Sequence, residues 1–401
     1  MTRNHAVVIG SGIGGLTAGA ALHRSGWQVT VLERAPSLEP AGAAISLAPN
    51  SQRALDVIGL GDAIRSLAAW QGDGGMRSPS GRWLSRTNSA AAAERFGGAL
   101  VLLHRATLVG ILSSGLPASA LRTGTAAELV SPGRVGGSRA VVRTSSGDIE
   151  ADLVVGADGI HSAVRTMLFP RHPGPSYAGF TTWRAVVPGL GRPFAPHESW
   201  GRGALWGTHP LKDGRIYAYA GAVTPAGGRA ADDEKAELLR RFGDWHDPIP
   251  ELIAATEPGR LLRHDVHHMI DPLPSFHRGR AVLIGDAAHA MAPTLAQGGN
   301  QAIEDAVVLA HHVAPGGDLG EGLAAYSAAR LPRTTALVRK SAQVARLMSW
   351  SSTPAVALRD SLMATVNRLG PGLVLRALDG IADWEPPQRT YAAEPRTRVG
   401  Q

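Results

Sequence analysis

The sequence predicts an α/β fold interrupted by a β-rich insert and finished by a helical C-terminal end. Three observations lead there. A short apolar run, His5 to Ile9, ends in a glycine-rich turn that opens a helix, and a second run, Gln28 to Leu32, closes on Glu33. Between about Ser176 and Pro272 the composition turns aromatic and alternating, as in Arg215–Ala220. At Ala281 to Ile284 the buried-strand pattern returns, and helical patterns follow it.

In chain order, Gly14 to Arg24 shows helical periodicity through Leu16, Ala20 and Leu22 and stops at Gly26. With its flanking strands it forms a βαβ opening. Thr107 to Leu116 reads as helix. From Ala118 to Val155 short alternating segments carry turn signals, with Ser146-Gly147-Asp148 a hairpin tip. Ala151 to Val155 is apolar enough for a buried strand and runs into Gly156-Ala157-Asp158-Gly159. Inside the insert, Asp232 is placed to cap a helix that reaches Phe242. After Gly285-Asp286 come helices at Asn300–Val313, Leu319–Trp350 and, more weakly, Val356–Leu369. From Glu385 the tail is rich in Pro and Arg and is expected to fray. The domain reading is 1–175 with 273–345 as one discontinuous domain, 176–272 as the substrate-binding insert, and 346–401 as helical end and tail.

Composition narrows the function classes. The 401 residues are 44% hydrophobic and 18% charged, enough for a sizeable core and too apolar for general disorder. The 49 glycines and 27 prolines show no fixed period, which excludes a collagen-like chain. Without cysteine there is no disulfide frame, thiolate metal site, catalytic thiol or sulfur-linked cofactor. Net charge is +7, yet only three of the 40 cationic residues are lysines (Lys212, Lys235, Lys340), leaving 37 arginines scattered without a run. A nucleic-acid surface would gather them in a patch, so no nucleic-acid partner is expected. No stretch reaches the roughly 18 apolar residues of a membrane span. The first apolar run is too short for a signal peptide, so a cytoplasmic chain is expected.

The opening turn, Gly10-Ser11-Gly12-Ile13-Gly14-Gly15, has the G-x-G-x-x-G spacing from Gly10 to Gly15. Gly10 allows the tight turn, Gly12 lets backbone N–H groups approach a pyrophosphate, and Gly15 lets helix and strand pack closely. Glu33, at the end of the second strand, is placed to accept from ribose hydroxyls. The bland alternative is a glycine-rich turn with a solvated glutamate. Strand, helix and acid in register favour a Rossmann-like dinucleotide site.

Two further motifs, ADLVVGADGIHSAVR at 151–165 and GRAVLIGDAAHAMAPTLAQGGNQAIEDA at 279–306, join the glycine turn and His104-Arg105. Together, over Ala6 to about Ala329, they resemble the FAD-dependent aromatic hydroxylases, the group A flavoprotein monooxygenases. The segment AGAAISLAPNSQRALDVIGLG at Ala41–Gly61 looks like the family's stretch beside the flavin, which brings in Ala44. The resemblance implies a Rossmann-like FAD-binding domain of GR2 type and non-covalent FAD held by Gly10, Gly12, Ile13, Gly14, Gly15, Glu33 and Arg34. Asp286 would accept from ribityl hydroxyls, and Arg105 would meet the ribityl–phosphate segment. Gly298, Gly299 and Asn300 would present amides at a helix N-terminus to a charged flavin. Pro293 would line the flavin face where oxygen reacts. Asp158 resembles the family's Asp-Gly aspartate, with a helix N-cap as its plainer role. Glu304 and Asp305 read as first-turn acids, and His289 as structural.

Within the insert, Tyr177-Ala-Gly-Phe-Thr-Thr-Trp183-Arg184 is similar to a strand of the branch holding salicylate, hydroxybenzoate and urate hydroxylases and related epoxidases. Either Trp183 or Arg184 is expected to face substrate, by strand alternation. The other reading is Trp183 in the core and Arg184 outside. Trp206, His209, Tyr217 and Tyr219 are weaker candidates, read as packing. His264-Asp265-Val266-His267-His268 would split between two strand faces, so no metal site is expected.

The activity implied is NAD(P)H-driven hydroxylation or epoxidation of a small electron-rich aromatic or unsaturated compound by O2, through a flavin C4a-hydroperoxide. With no second glycine fingerprint, NADPH or NADH is expected to bind transiently. A flavin-dependent reductase or oxidase without oxygen insertion is the first alternative, and a non-catalytic FAD-binding regulator the second. Monomer and homodimer both remain open.

Overall fold

The computed structural model describes residues 4–38, 44–69, 73–370, 375–376 and 378–387. The strands, in order, are β1 His5–Ile9, β2 Gln28–Leu32, β3 Ala44–Leu47, β4 Gly74–Arg77, β5 Trp83–Thr87, β6 Val101–His104 and β7 Leu121–Arg122. They continue with β8 Ala127–Ser131, β9 Ala140–Thr144, β10 Gly147–Ala151, β11 Leu153–Gly156, β12 Ser176–Val187 and β13 His197–Trp200. The last are β14 Ala204–Pro210, β15 Ile216–Val223, β16 Leu262–His268, β17 His277–Arg278 and β18 Ala281–Leu283.

A six-stranded sheet in the order β17-β18-β11-β1-β2-β7 forms the first layer, with parallel pairing from β18 through β7. Its central strands are buried on both faces, which is why Ala6-Val7-Val8-Ile9 and Leu153-Val154-Val155 read as unbroken apolar runs. Helix Ile13–Arg24 packs on it, and helix Gly298–His312 packs on that helix, close enough that a methyl on Gly14 would sit 3.3 Å from the Ala302 methyl. The helix expected at Asn300–Val313 therefore begins two residues earlier, in the glycine pair.

A seven-stranded sheet forms the second layer, in the order β16-β12-β15-β14-β13-β4-β5. Five of its strands come from 176–272, but β4 and β5 come from residues 74–87, and β4 joins β13 in parallel register. No local pattern in 74–87 announces that pairing. One face of this sheet carries Trp183, Ala185, Ala218, Ala220 and Trp206, packed against helices Glu234–Phe242 and Ile249–Ala255. The alanines of β15 leave room for those helices to lie close. The other face looks toward the first layer, and the cavity lies there.

The insert helix is capped by Asp233, whose side chain accepts from the Ala236 N–H, one residue past the Asp232 expected from sequence. Asp232 instead pairs with Arg240. A 30-residue helix, Leu319–Met348, and helix Thr353–Leu369 complete the C-terminal end. Among the described residues no helix is long and apolar enough to cross a membrane. Ala41, Gly42 and Ala43 of the expected flavin-side stretch, and most of the tail from Glu385, lie outside the described residues.

Candidate functional site

The glycine turn is built as close packing demands. Gly10 has φ +102°, and a Cβ there would lie 2.4 Å from the Ala157 carbonyl oxygen. A Cβ on Gly15 would lie 1.9 Å from the Gly10 oxygen, so no side chain fits. Over Gly12 the space is open, with no heavy atom within 4 Å of a built Cβ. Glu33 sits beside the turn. Its Oε2 accepts from the Ser11 N–H at 3.0 Å and Oγ at 2.7 Å, and its Oε1 accepts from the Ala35 N–H at 2.8 Å. Burial pushes the carboxyl pKa up, but these donors outweigh it and hold Glu33 below the usual carboxylate range. Arg34 is exposed just beyond, and Ile13 is buried at the helix start.

Asp158 reaches the start of helix Ala163–Leu168, where its Oδ2 accepts from the Val164 N–H at 3.1 Å, while Ser162 caps the helix proper. Its Oδ1 is buried without a partner.

A cavity of about 540 Å³ lies between the seven-stranded sheet and, on the first layer's side, β3 and the segments that follow β6 and β18. Arg105 and Asp286 stand on the first layer's side, and Pro293, Gly298 and Gly299 line it from the turn before helix Gly298–His312. Ala44 of β3 contributes to the wall, and a Cβ on Gly299 would lie 2.6 Å from the Ile45 Cδ1. The Nε of Arg105 is buried without a partner. Burial pushes this guanidinium's pKa down, opposed by the nearby Asp286 and assisted by Arg184. Asp286 is exposed into this space while Ala287, Ala288 and His289 behind it are buried.

From the second layer come Arg184, Glu198, Tyr217 and Tyr219, with Phe180 and Leu205. Alternation along β12 resolves the pair left open by sequence. Arg184 enters the cavity wall, where one terminal nitrogen meets the His264 Nδ1 at 3.1 Å and its Nε has no partner. Trp183 does not face the cavity. It is 2% exposed, in the core under the two helices, and its indole N–H donates to Glu234 at 2.7 Å. A catalytic role for Trp183 is thus corrected: that face holds the sheet to its helices. Tyr217 and Tyr219, expected as packing residues, line the cavity, and Trp206 is core. Burial pushes the Tyr217 pKa up to about 12, with Arg184 opposing and Glu198 adding to the shift.

The side chain of Asn300 is not offered to the cavity. Its Oδ1 accepts from Ala48 N–H and Ser51 Oγ, and its Nδ2 donates to the Ser46 and Ala296 carbonyls, tying β3 to the helix. Glu304 and Asp305 are not first-turn acids but fully buried carboxylates. Arg330 donates to both at 2.6 Å, Arg333 adds a second grip on Glu304, and His289 meets Asp305 at 2.6 Å. Asp305 also accepts from the Gly285 N–H at 2.9 Å, which fixes the turn that presents Asp286. Arg330, Arg333 and Glu198 were not singled out from sequence: the carboxylates of the two arginines sit on another helix, and Glu198 meets the cavity only through the pairing of β13 with β14 and β15. His264 to His268 spread along β16, and among the described residues no group of three or more His, Asp or Glu side chains is placed to hold a metal.

An open glycine cradle, orphaned polar atoms on Arg105 and Asp158, and a carboxylate at the end of β2 define a flavin-nucleotide-binding α/β protein with a roofed cavity. The chain matches the FAD binding domain family over residues 3–341. It belongs to that family, the FAD-dependent aromatic hydroxylases. It is 37% identical over 361 residues to the aurachin C monooxygenase/isomerase of Stigmatella aurantiaca, covering 89% of this chain and 93% of that one. It is 33% identical over 341 residues to the FAD-dependent urate hydroxylase of Klebsiella pneumoniae, covering 84% and 88%. A structure of Klebsiella pneumoniae HpxO complexed with FAD and uric acid superposes with TM-score 0.83 at 29% identity, covering 95% of this chain and 96% of that one.

Proposed function

We propose that the protein is an FAD-dependent, NAD(P)H-consuming monooxygenase that inserts one oxygen atom into a small electron-rich aromatic or unsaturated compound. The observation that carries this reading is the cavity itself. It joins the residues suited to a flavin, Arg105, Asp286, Pro293 and Gly298, to a second wall with its own polar groups. The names of the relatives, all monooxygenases or hydroxylases, support it.

The residues present fit FAD. Glu33 would hold the ribose and the open backbone at Gly12 the pyrophosphate. Asp286, which is exposed, and Arg105, whose buried Nε has no partner, would hold the segment between. Bound and reduced, FAD supplies the activation of dioxygen that no side chain here can supply. The chain's own work is placement. Phe180, Leu205, Met291 and Leu295 give the cavity dry walls, which protects a reactive site from water. Arg184 offers N–H donors to an anionic or carbonyl group and so fixes which ring edge faces Pro293.

Purified protein should be yellow with releasable FAD, and small aromatics should accelerate its NAD(P)H oxidation. A colourless protein that cannot be reconstituted overturns the reading, as does NAD(P)H oxidation that no aromatic or unsaturated compound stimulates.

A further inference from the structure

The cavity wall of the second sheet holds an ordered row of side chains. Arg184 of β12 pairs in register with Tyr219 of β15, Tyr219 with Gly207 of β14, and Gly207 with Glu198 of β13. A cation and an anion therefore stand at the two ends of one row. Three strand spacings of about 4.8 Å separate their backbones, roughly 14 Å. Arg184 leans outward to His264 on β16, away from Glu198.

The residues between them hold Glu198 still. Gly207 has no side chain, and the Tyr219 ring lies directly over it, so close that a Cβ there would sit 2.0 Å from the ring carbon bearing the hydroxyl. From that position the Tyr219 hydroxyl donates to the Glu198 Oε1 at 2.5 Å. The Trp200 indole N–H donates to Oε2 at 2.9 Å. His209 stacks on Tyr219, with ring centroids 5.8 Å apart and planes 5° apart. Both partners of Glu198 are uncharged donors, so its charge is oriented but not neutralised. Each oxygen keeps a lone pair, and the side chain lines the cavity.

We propose that Glu198 is a specificity-determining residue that selects substrates carrying an N–H or O–H donor at the edge opposite the group bound by Arg184. This rests on the monooxygenase reading of the same cavity. The separation of the two anchors suits a fused bicyclic aromatic with an acidic or oxo group at one end and a donor at the other. A hydrogen bond to a carboxylate is about twice as strong as one between neutral groups, and a substituent without a hydrogen leaves the free lone pairs of Glu198 desolvated and without a donor.

The test uses FAD-loaded protein and two probes that differ at one position, 6-hydroxy-2-naphthoate and 6-methoxy-2-naphthoate. Binding is read from the change in flavin absorbance, without turnover. The hydroxy probe should bind at least about ten-fold more tightly than the methoxy probe, and in Glu198→Gln the ratio should fall below about three-fold with FAD occupancy unchanged. Arg184→Met should weaken both probes while preserving the ratio. Equal binding of the two probes by the unaltered protein overturns the proposal, as does failure of both to bind or a ratio that survives in Glu198→Gln. FAD retention and aromatic-stimulated NAD(P)H oxidation in the same preparation show whether the monooxygenase reading falls with it.

Discussion

Arg184 and Trp183 are neighbours with opposite fates, and the difference comes from the two-residue period of a strand. Arg184 lines the cavity with an unpartnered Nε, whereas Trp183 is sealed under the helices with its N–H on Glu234. Arg184→Met should raise KM for an anionic or oxo-bearing aromatic about ten-fold or more, since a charged donor is lost, with little change in melting temperature. Trp183→Ala should do the reverse. Removing a buried indole costs about 3–5 kcal/mol, read as a fall in the urea midpoint. The sequence showed that one of this pair must point inward, but which one depends on the layer the strand is laid against. Gly15 and Glu33 were legible because their contacts, Gly10 and Ser11, lie within one βαβ unit. Glu198 was not, because its meaning needs the register of β12 through β15.

At the scale of elements, a buried ionic cluster joins the Gly285-Asp286 turn to helices Gly298–His312 and Leu319–Met348. Arg330 is 1% exposed, and Glu304 and Asp305 are fully buried. Removing one partner from such a cluster strands the others, at a cost of about 3–5 kcal/mol. Arg330→Met should therefore lower the unfolding free energy by about that amount, read from urea denaturation, and loosen FAD, because Asp305 also holds the Gly285 N–H. Asp305 also gives the stability a pH dependence. Burial raises its pKa, but His289, Arg330 and the Gly285 N–H overcome this and hold it below the usual carboxylate range. A folded-state pKa below the unfolded value of about 3.9 gives stability that is complete above that value. That stability is lost as pH falls through the unfolded value toward the folded one. Urea unfolding from pH 6 downward should show a midpoint that drops below about pH 4, less steeply in Asp305→Asn. Helix periodicity placed Glu304 and Asp305 on a helix, but it carried no sign of Arg330, whose helix returns from elsewhere. The same limit hid the place of β4 and β5 in the second sheet, since β4 joins it through β13, which lies beyond the whole of β6 to β12.

For the whole molecule, a first layer and a second built mainly from 176–272, with β4 and β5 joining it from 74–87, meet across a cavity, and the cofactor would bind where they meet. A ligand that binds only the folded state stabilises it by about 2.7 kcal/mol at a hundred times its Kd. FAD should accordingly raise the melting temperature, and Asp286→Ala should abolish that rise while leaving the FAD-free protein's melting temperature unchanged. Alternating αβ patterns, the aromatic insert and the returning buried strand made the layered plan readable, because each is a local signal. The cavity is a product of their docking and had no local signal. Oxygen insertion in this cavity can be read by supplying oxygen-18 dioxygen and NAD(P)H to the FAD-loaded protein with an aromatic that stimulates oxidation, then weighing the product. One oxygen-18 atom per product molecule is expected; a product that gains no oxygen, or gains it from water, would rule out a monooxygenase.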